Sequence, residues 1–330
     1  MSEQPEIRPE STSSETEKRE LEWWQKFADL ENRFAWVQGT AMQRILRGRY
    51  LCEIVKYAGA KGRTLELGCG VGWLCFNLAE FGASEVFGVD FSPSQIAIAQ
   101  ERAKTIGLAD RVHFCCADGT QDNVFAGQFD CVVVHGFLHH LNKTEIRRTM
   151  ASVPKFLKPN GAFIVFEPVL HEGKPAQTFP LKLRCLLKCQ YVLTQLANRG
   201  QRFGFRRISQ EERSWRDLFS CRAWGVPPHG PSPKEMPFAP GELEGYLSSH
   251  FVIERQVVCM AISHLIVQEW LLREVSHPYS SRLLLPWVAR AAAWIDRGLV
   301  QQVEMLPTSW IFKMWICRLL AKDFSSTSPP

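Results

Sequence analysis

Long apolar runs are missing from this 330-residue sequence: no stretch of 18 or more apolar residues occurs, so no membrane-spanning helix is expected. The opening segment, MSEQPEIRPESTSSETEKRE, has six Glu against three Lys or Arg and no apolar h-region. Neither a secretory leader nor an acid-poor transit peptide fits that composition, and residues 1–19 read as a disordered tail. No Cys-x-x-Cys pair occurs among the eleven cysteines. An odd, irregularly spaced set argues for free thiols in a reducing, cytoplasmic setting and against a structural zinc site; no metal is expected. Charge of one sign is also scarce overall. The net +5 is too weak to argue for a nucleic-acid partner. No internal repeat is evident.

What is present is a hydrophobic fraction of 45%, enough for one large core or two modest ones. Residues 20–37 carry Trp23, Phe27, Leu30 and Phe34 at helical spacing, and a second helix is expected over 41–57. From residue 63 the pattern becomes strand–helix alternation. Strands are expected at Thr64–Leu67, Glu85–Val89, Val112–Cys116, Cys131–Val134 and Ala162–Phe166. The helices expected between them lie near 72–81, at Pro93–Thr105 and near 144–157, with a turn at Lys158–Gly161 before the fifth strand. This rhythm predicts a parallel sheet covered on both faces. It stops after Glu167-Pro168. Residues 170–237 read as a cap insertion, and 182–222 within it hold ten Lys or Arg against three acids. A helix from Pro240 to about Ser249 and a terminal hairpin at 251–258 and 263–268 complete the reading. The last segment, 270–330, with five of the eleven tryptophans, reads as a separate helical appendage.

The chemistry is signalled at the first strand-to-helix turn, Glu66-Leu67-Gly68-Cys69-Gly70-Val71-Gly72. Glycines let the backbone turn sharply and approach a ligand closely. The helix that follows offers unpaired N–H groups, at the edge where open α/β sheets bind cofactors. The dinucleotide pattern G-x-G-x-x-G would need glycine where Trp73 stands. An acid at Glu66 suits a sulfonium ligand better than a pyrophosphate. Asp90 ends the second strand, where a carboxylate can accept both ribose hydroxyls; the adjacent Phe91 can cover adenine. Asp118, before Gly119, follows the third strand and can accept from the adenine amino group.

Through these motifs residues 63–168 resemble the class I S-adenosylmethionine-dependent methyltransferases, especially the small-molecule branch. Glu66–Gly72 resembles that family's first motif, Val86–Phe91 its second and Ala117-Asp118-Gly119 its third. Phe129–Val134 with Phe137–Leu141 is similar to the fourth, and Leu157–Gly161 to the fifth. The resemblance implies a Rossmann-like α/β fold: a seven-stranded sheet, mostly parallel with one antiparallel edge strand, here with helical N-terminal, insertion and C-terminal additions. It also implies S-adenosyl-L-methionine as cofactor, with Glu66, Gly68, Cys69, Gly70, Gly72, Asp90, Phe91, Asp118, Gly119 and His135 as the cofactor-site residues. The expected domain covers 20–269.

Methyl transfer to a hydroxyl needs a base. His135, His139 and His140 follow the fourth strand and have a suitable unperturbed pKa. His139 is the expected base; loop capping is the competing role for these histidines, and Glu167 is a further acceptor-site carboxylate. The expected acceptor is a small or lipid-like molecule. The stripe Leu284, Trp287, Val288, Ala291, Trp294, Ile295 and the apolar run Trp310–Leu320 suggest peripheral membrane contact through 283–320. The same sequence leaves open a Rossmann-type oxidoreductase, or a non-catalytic cofactor-binding scaffold at a membrane surface.

Overall fold

A computed structural model describes residues 8–33, 51–57, 62–121, 125, 127–170, 232–260, 287, 290–291, 294 and 310–320. The chain divides into two compact units, one of residues 1–169, 232–259 and 312–330, the other of 170–231 and 260–311. The first holds a seven-stranded sheet. Its strands are β1 (Arg63–Leu67), β2 (Glu85–Asp90), β3 (Val112–Cys116), β4 (Phe129–His135), β5 (Leu157–Leu170), β6 (Phe251–Met260) and β7 (Trp310–Leu319), in the order β3-β2-β1-β4-β5-β7-β6. Six strands run parallel and one antiparallel. The helices are α1 (Ser14–Arg33), α2 (Trp73–Phe81), α3 (Pro93–Thr105), α4 (Lys143–Phe156) and the short α5 (Glu242–Leu247). Residues 51–57 are also helical.

Local chemistry sets the element boundaries. Pro93 opens α3, where its missing N–H costs nothing. Asn142 and Glu145 form a reciprocal capping box at the start of α4. α2 begins at Gly72 in the left-handed conformation with no side-chain cap. In the sheet, alternation sorts side chains between the two faces. Leu65, Leu67, Val89, Val132, Val134, Phe163 and Val165 share one cluster with Ile146, Met150 and Val153 of α4, Leu243 and Leu247 of α5, and Trp315 of β7. The intervening positions, including Glu66, Gly88 and Asp90, therefore face the other way, and Gly88 lies against Cys69 and Cys75.

Three expectations are corrected. Of the expected tail, residues 8–19 are not free: Arg8 is 3% exposed and α1 starts at Ser14. Trp310–Leu319 is not helical: it is β7, hydrogen-bonded between β5 and β6, with Ile311, Met314, Trp315, Ile316 and Cys317 buried. The strand beside β6 is thus this distant segment, and the run cannot serve as a helix on a bilayer. The Lys158–Gly161 turn is absorbed into β5, as a register irregularity between the Phe129↔Leu157 and Cys131↔Ala162 pairs. The second strand expected at 263–268, most of the 41–57 helix and the basic part of the insertion lie outside the described residues.

In the second unit, Trp287, Arg290, Ala291 and Trp294 are helical. Trp287 and Trp294 are 69% and 64% exposed. The Arg290 guanidinium lies 5.3 Å from the Trp287 ring centroid.

Candidate active site

The parallel strands β3, β2, β1, β4 and β5 bring Asp118, Asp90, the Gly68–Gly72 loop, His135 and Glu167 to one edge of the sheet, at their carboxyl ends. The loop is tied down by backbone. Gly68 and Cys69 donate their N–H groups to Val89 O at 2.8 and 3.0 Å, and Gly72 N–H donates to Cys69 O at 2.9 Å. Gly68, Gly70 and Gly72 all have positive φ (72°, 52° and 77°), a region that a side chain makes costly. At Gly68 a Cβ would also overlap the Phe137 ring, and at Gly72 it would lie 2.5 Å from Phe114 Cζ.

Asp90 organises this corner. Its Oδ2 accepts from Gly70 N–H and its Oδ1 from Ser92 N–H, both at 2.9 Å. Burial raises its pKa, against the lowering effect of these two bonds. Each carboxylate oxygen keeps a lone pair for a further donor. Phe91 beside it is 40% exposed, a large apolar face in the open. Asp118 accepts from Thr120 N–H at 2.8 Å and Gln121 Nε2–H at 3.2 Å. Gly119 is buried, and its missing Cβ would stand at ordinary contact distance from Val89, Phe137 and Leu67.

Glu66 and Cys69 make different contacts from the strand-end acids Asp90 and Asp118. Glu66 is buried, its Oε2 accepts from the Cys75 thiol at 2.9 Å, and burial pushes its pKa up to about 8. The Cys69 thiol is buried beside Cys75, and burial raises it to about 11. Its N–H donates to Val89 O of β2 and its C=O accepts from Gly72 N–H, so the Cys69 backbone shapes the turn. His135 is half-buried and stacks on Phe166 (centroids 4.2 Å apart, 7° between planes), with Trp73 edge-on at 4.8 Å.

The other two histidines stand on the 3-10 turn Leu138–His140. His139 Nδ1 lies 2.7 Å from Glu167 Oε2. The other oxygen of Glu167 accepts from Phe137 and Leu138 N–H at 2.8 and 2.7 Å. Glu167 thus acts as an acceptor throughout; Nδ1–H is the donor, and Nε2 is the nitrogen left to take a proton. Burial, then His140 beside it, lowers the His139 pKa and outweighs the raising effect of Glu167. A neutral imidazole fixed in one tautomer is suited to general-base work.

His140 turns away from His139's partner. Its Nδ1 is 3.2 Å from Glu20 Oε1 and 2.9 Å from Ser232 Oγ. Glu20 also accepts from Trp24 Nε1–H (2.8 Å) and Lys234 N–H (2.9 Å). Burial alone would raise the Glu20 pKa, but these bonds, led by the one to His140, leave it lowered. None of Arg8, Glu20, Ser232 or Lys234 carried a local sequence signal, because they reach the turn from segments about 90 to 130 residues away.

The glycine loop, the amino-terminal end of α2, two strand-end carboxylates with spare lone pairs and an exposed phenyl ring fit an adenosine joined to an amino acid. A separate open cavity of about 820 Å³ between α4 and α5, lined by Arg8, Lys143, Arg147, Met150 and Tyr246 among others, includes none of these groups.

Residues 64–161 match the family model described as a methyltransferase domain. The chain is 33% identical over 106 residues to sterol 24-C-methyltransferase of Saccharomyces cerevisiae, covering 32% of this chain and 27% of that protein. It is 29% identical over 103 residues to sterol 4-C-methyltransferase of Caenorhabditis elegans (31% and 30%). To phosphoethanolamine N-methyltransferase 1 of Zea mays it is 28% identical over 155 residues (46% and 30%). Among solved structures, geranyl diphosphate C-methyltransferase from Streptomyces coelicolor A3(2) aligns over 82% of this chain and 78% of that chain, at 13% identity and a TM-score of 0.46. The chain spans between 23% and 47% of the length of the curated relatives it matches.

Proposed function

We propose, from the premise that residues 64–161 are a class I methyltransferase domain, that this chain transfers the methyl group of S-adenosyl-L-methionine to a small or lipid-like acceptor by in-line displacement. The observation that carries the reading is the Gly70 N–H to Asp90 bond, which locks the glycine loop to the carboxylate at the end of the neighbouring strand. When bound, the cofactor supplies a methyl group already activated by its sulfonium.

The chain's own residues bind and orient. The spare lone pairs of Asp90 take the ribose hydroxyls, those of Asp118 the adenine amino group, and Phe91 covers the adenine. The amino-terminal end of α2 faces the amino-acid end of the cofactor, and His135, held between Trp73 and Phe166, walls the site. His139 takes the acceptor proton at Nε2 while Glu167 holds Nδ1–H. Relatives whose names specify sterols and phosphoethanolamine support an acceptor with lipid character. The exposed Trp287 and Trp294, one helical stripe with Arg290 between them, support contact with a membrane surface that holds such an acceptor.

Calorimetry with S-adenosylmethionine and S-adenosylhomocysteine tests the cofactor site. Wild type is expected to bind both, and Asp90→Ala to bind at least 10-fold more weakly, about 1.4 kcal/mol. Labelled methyl transfer into a lipid extract tests the acceptor class. A folded wild type that binds neither compound overturns the proposal.

A further inference from the structure

The amino-terminal segment before α1 is built into the turn that carries His139. Arg8 is 3% exposed, although arginine is seldom buried unless paired. Its guanidinium donates to Leu141 O at 3.0 Å and His139 O at 3.4 Å, and on the other side to Met236 O at 2.6 Å and Glu242 Oε1 at 3.1 Å. Its flat face covers the Phe238 ring, 4.3 Å from the centroid. One planar fork therefore joins the turn after β4 to the segment 232–242. Neighbouring residues repeat the attachment. Pro9 O accepts from Lys143 N–H at 3.0 Å and Glu10 O from Thr144 N–H at 3.2 Å. Met236 N–H donates to His139 O at 2.9 Å, so the carbonyl of the base residue is clamped from both sides.

Resting on the methyl-transfer reading, we propose that Arg8 is a positioning residue for His139, fixing the Leu138–His140 turn so that the ring stands against Glu167 with Nε2 presented to the acceptor. A 3-10 turn is short and has few hydrogen bonds of its own. Glu167 holds this one through the Phe137 and Leu138 N–H groups; Arg8 holds the carbonyls that follow. With five donors in a fixed plane, arginine can bind several carbonyls and a carboxylate together, which lysine cannot reproduce. The charged and titratable groups that surround His139 are Glu167 from β5, His140 from the same turn, Glu235 from the 232–242 segment, and Arg8.

The test uses full-length wild type, Arg8→Ala and Arg8→Lys. Titration of the His139 ring by NMR, its signal assigned by loss in His139→Ala, reports the turn directly. S-adenosylhomocysteine calorimetry reports the cofactor site, and near-ultraviolet dichroism reports folding. In Arg8→Ala the His139 titration is expected to move up toward the ordinary histidine range as water reaches the ring. Cofactor binding should stay within about 3-fold of wild type, and kcat with any acceptor found by labelled transfer should fall on the order of 10- to 100-fold. Arg8→Lys should fall between the two, and it supplies the measurement if Arg8→Ala does not fold. An unchanged His139 titration in a folded Arg8 variant overturns the proposal. Failure of wild type to bind S-adenosylhomocysteine, with the His139 titration still moved by Arg8→Ala, would sink the methyl-transfer reading and leave the positioning role of Arg8 standing.

Discussion

Glu66 shows how one residue's role depends on which way its side chain points. In the sequence it is an acid beside a glycine loop, facing a cationic ligand. In the fold, alternation along β1 turns it onto the α2 side of the sheet, where it accepts from Cys75 and holds its proton up to about pH 8. Its folded pKa is raised above the unfolded value, so the folded chain keeps a proton that the unfolded chain releases above about 4.5. The stability this confers is complete at low pH and is lost as pH rises toward 8, by at most about 1.4 kcal/mol per pH unit. Thermal unfolding between pH 5 and 8 should therefore show a decline in wild type that is flattened in Glu66→Gln. Parallel pH dependence of the two proteins would mean that Glu66 ionises normally. Asp90, by contrast, was legible from its place at the end of β2 and His139 from the turn after β4, and the fold gives each defined partners: Gly70 and Ser92 for Asp90, Glu167 for His139.

At the scale of the element, the glycine loop and the first turn of α2 are the part of the site written most fully in local sequence. A left-handed residue before a helix requires glycine for a reason that holds in any fold. Gly72→Ala meets both the backbone cost, about 1–2 kcal/mol, and the Phe114 ring. We expect a lower Tm together with weaker S-adenosylhomocysteine binding. A variant that kept wild-type Tm and affinity would show that the turn tolerates a side chain. α4 was equally readable, because its capping box uses residues three apart in sequence. β5 was readable only in part: the Lys158–Gly161 segment has the composition of a turn, yet pairing with β4 on both sides draws it into the strand. A strand was expected at Phe251–Val258, within β6, but its neighbour in the sheet was not.

For the whole molecule the largest difference lies in β7. An apolar run of ten residues with Lys313 and Arg318 fits a helix or a strand equally well by periodicity. What decides is the vacancy beside β5, which a segment from far along the chain fills. Trp315 is fully buried there, and its Nε1–H donates to Glu244 at 3.1 Å. Trp315→Ala is expected to cost about 3–5 kcal/mol in urea unfolding. Trp287→Ala, at a largely exposed site, should change stability little but lower sedimentation with phosphatidylserine vesicles. A mild effect of Trp315→Ala would contradict the placement of β7. Equal sedimentation of Trp287→Ala and wild type would remove the support for membrane contact.

The sequence by itself determined the strand–helix alternation from 63 to 166, the glycine loop and the strand-end acids. Each of these depends on glycine conformation, side-chain periodicity or a cap spanning a few residues, and such preferences act before any distant contact forms. Only the tertiary structure decided that Glu66 is inward, that His139 is oriented by Glu167, that Arg8 and Glu20 brace the histidine turn, and that Trp310–Leu319 completes the sheet. Apart from Glu66, whose partner Cys75 lies on the next helix, those outcomes join segments between about 30 and 230 residues apart. The driving force is burial of apolar surface, and burial of polar groups with partners, that no local window of the chain contains.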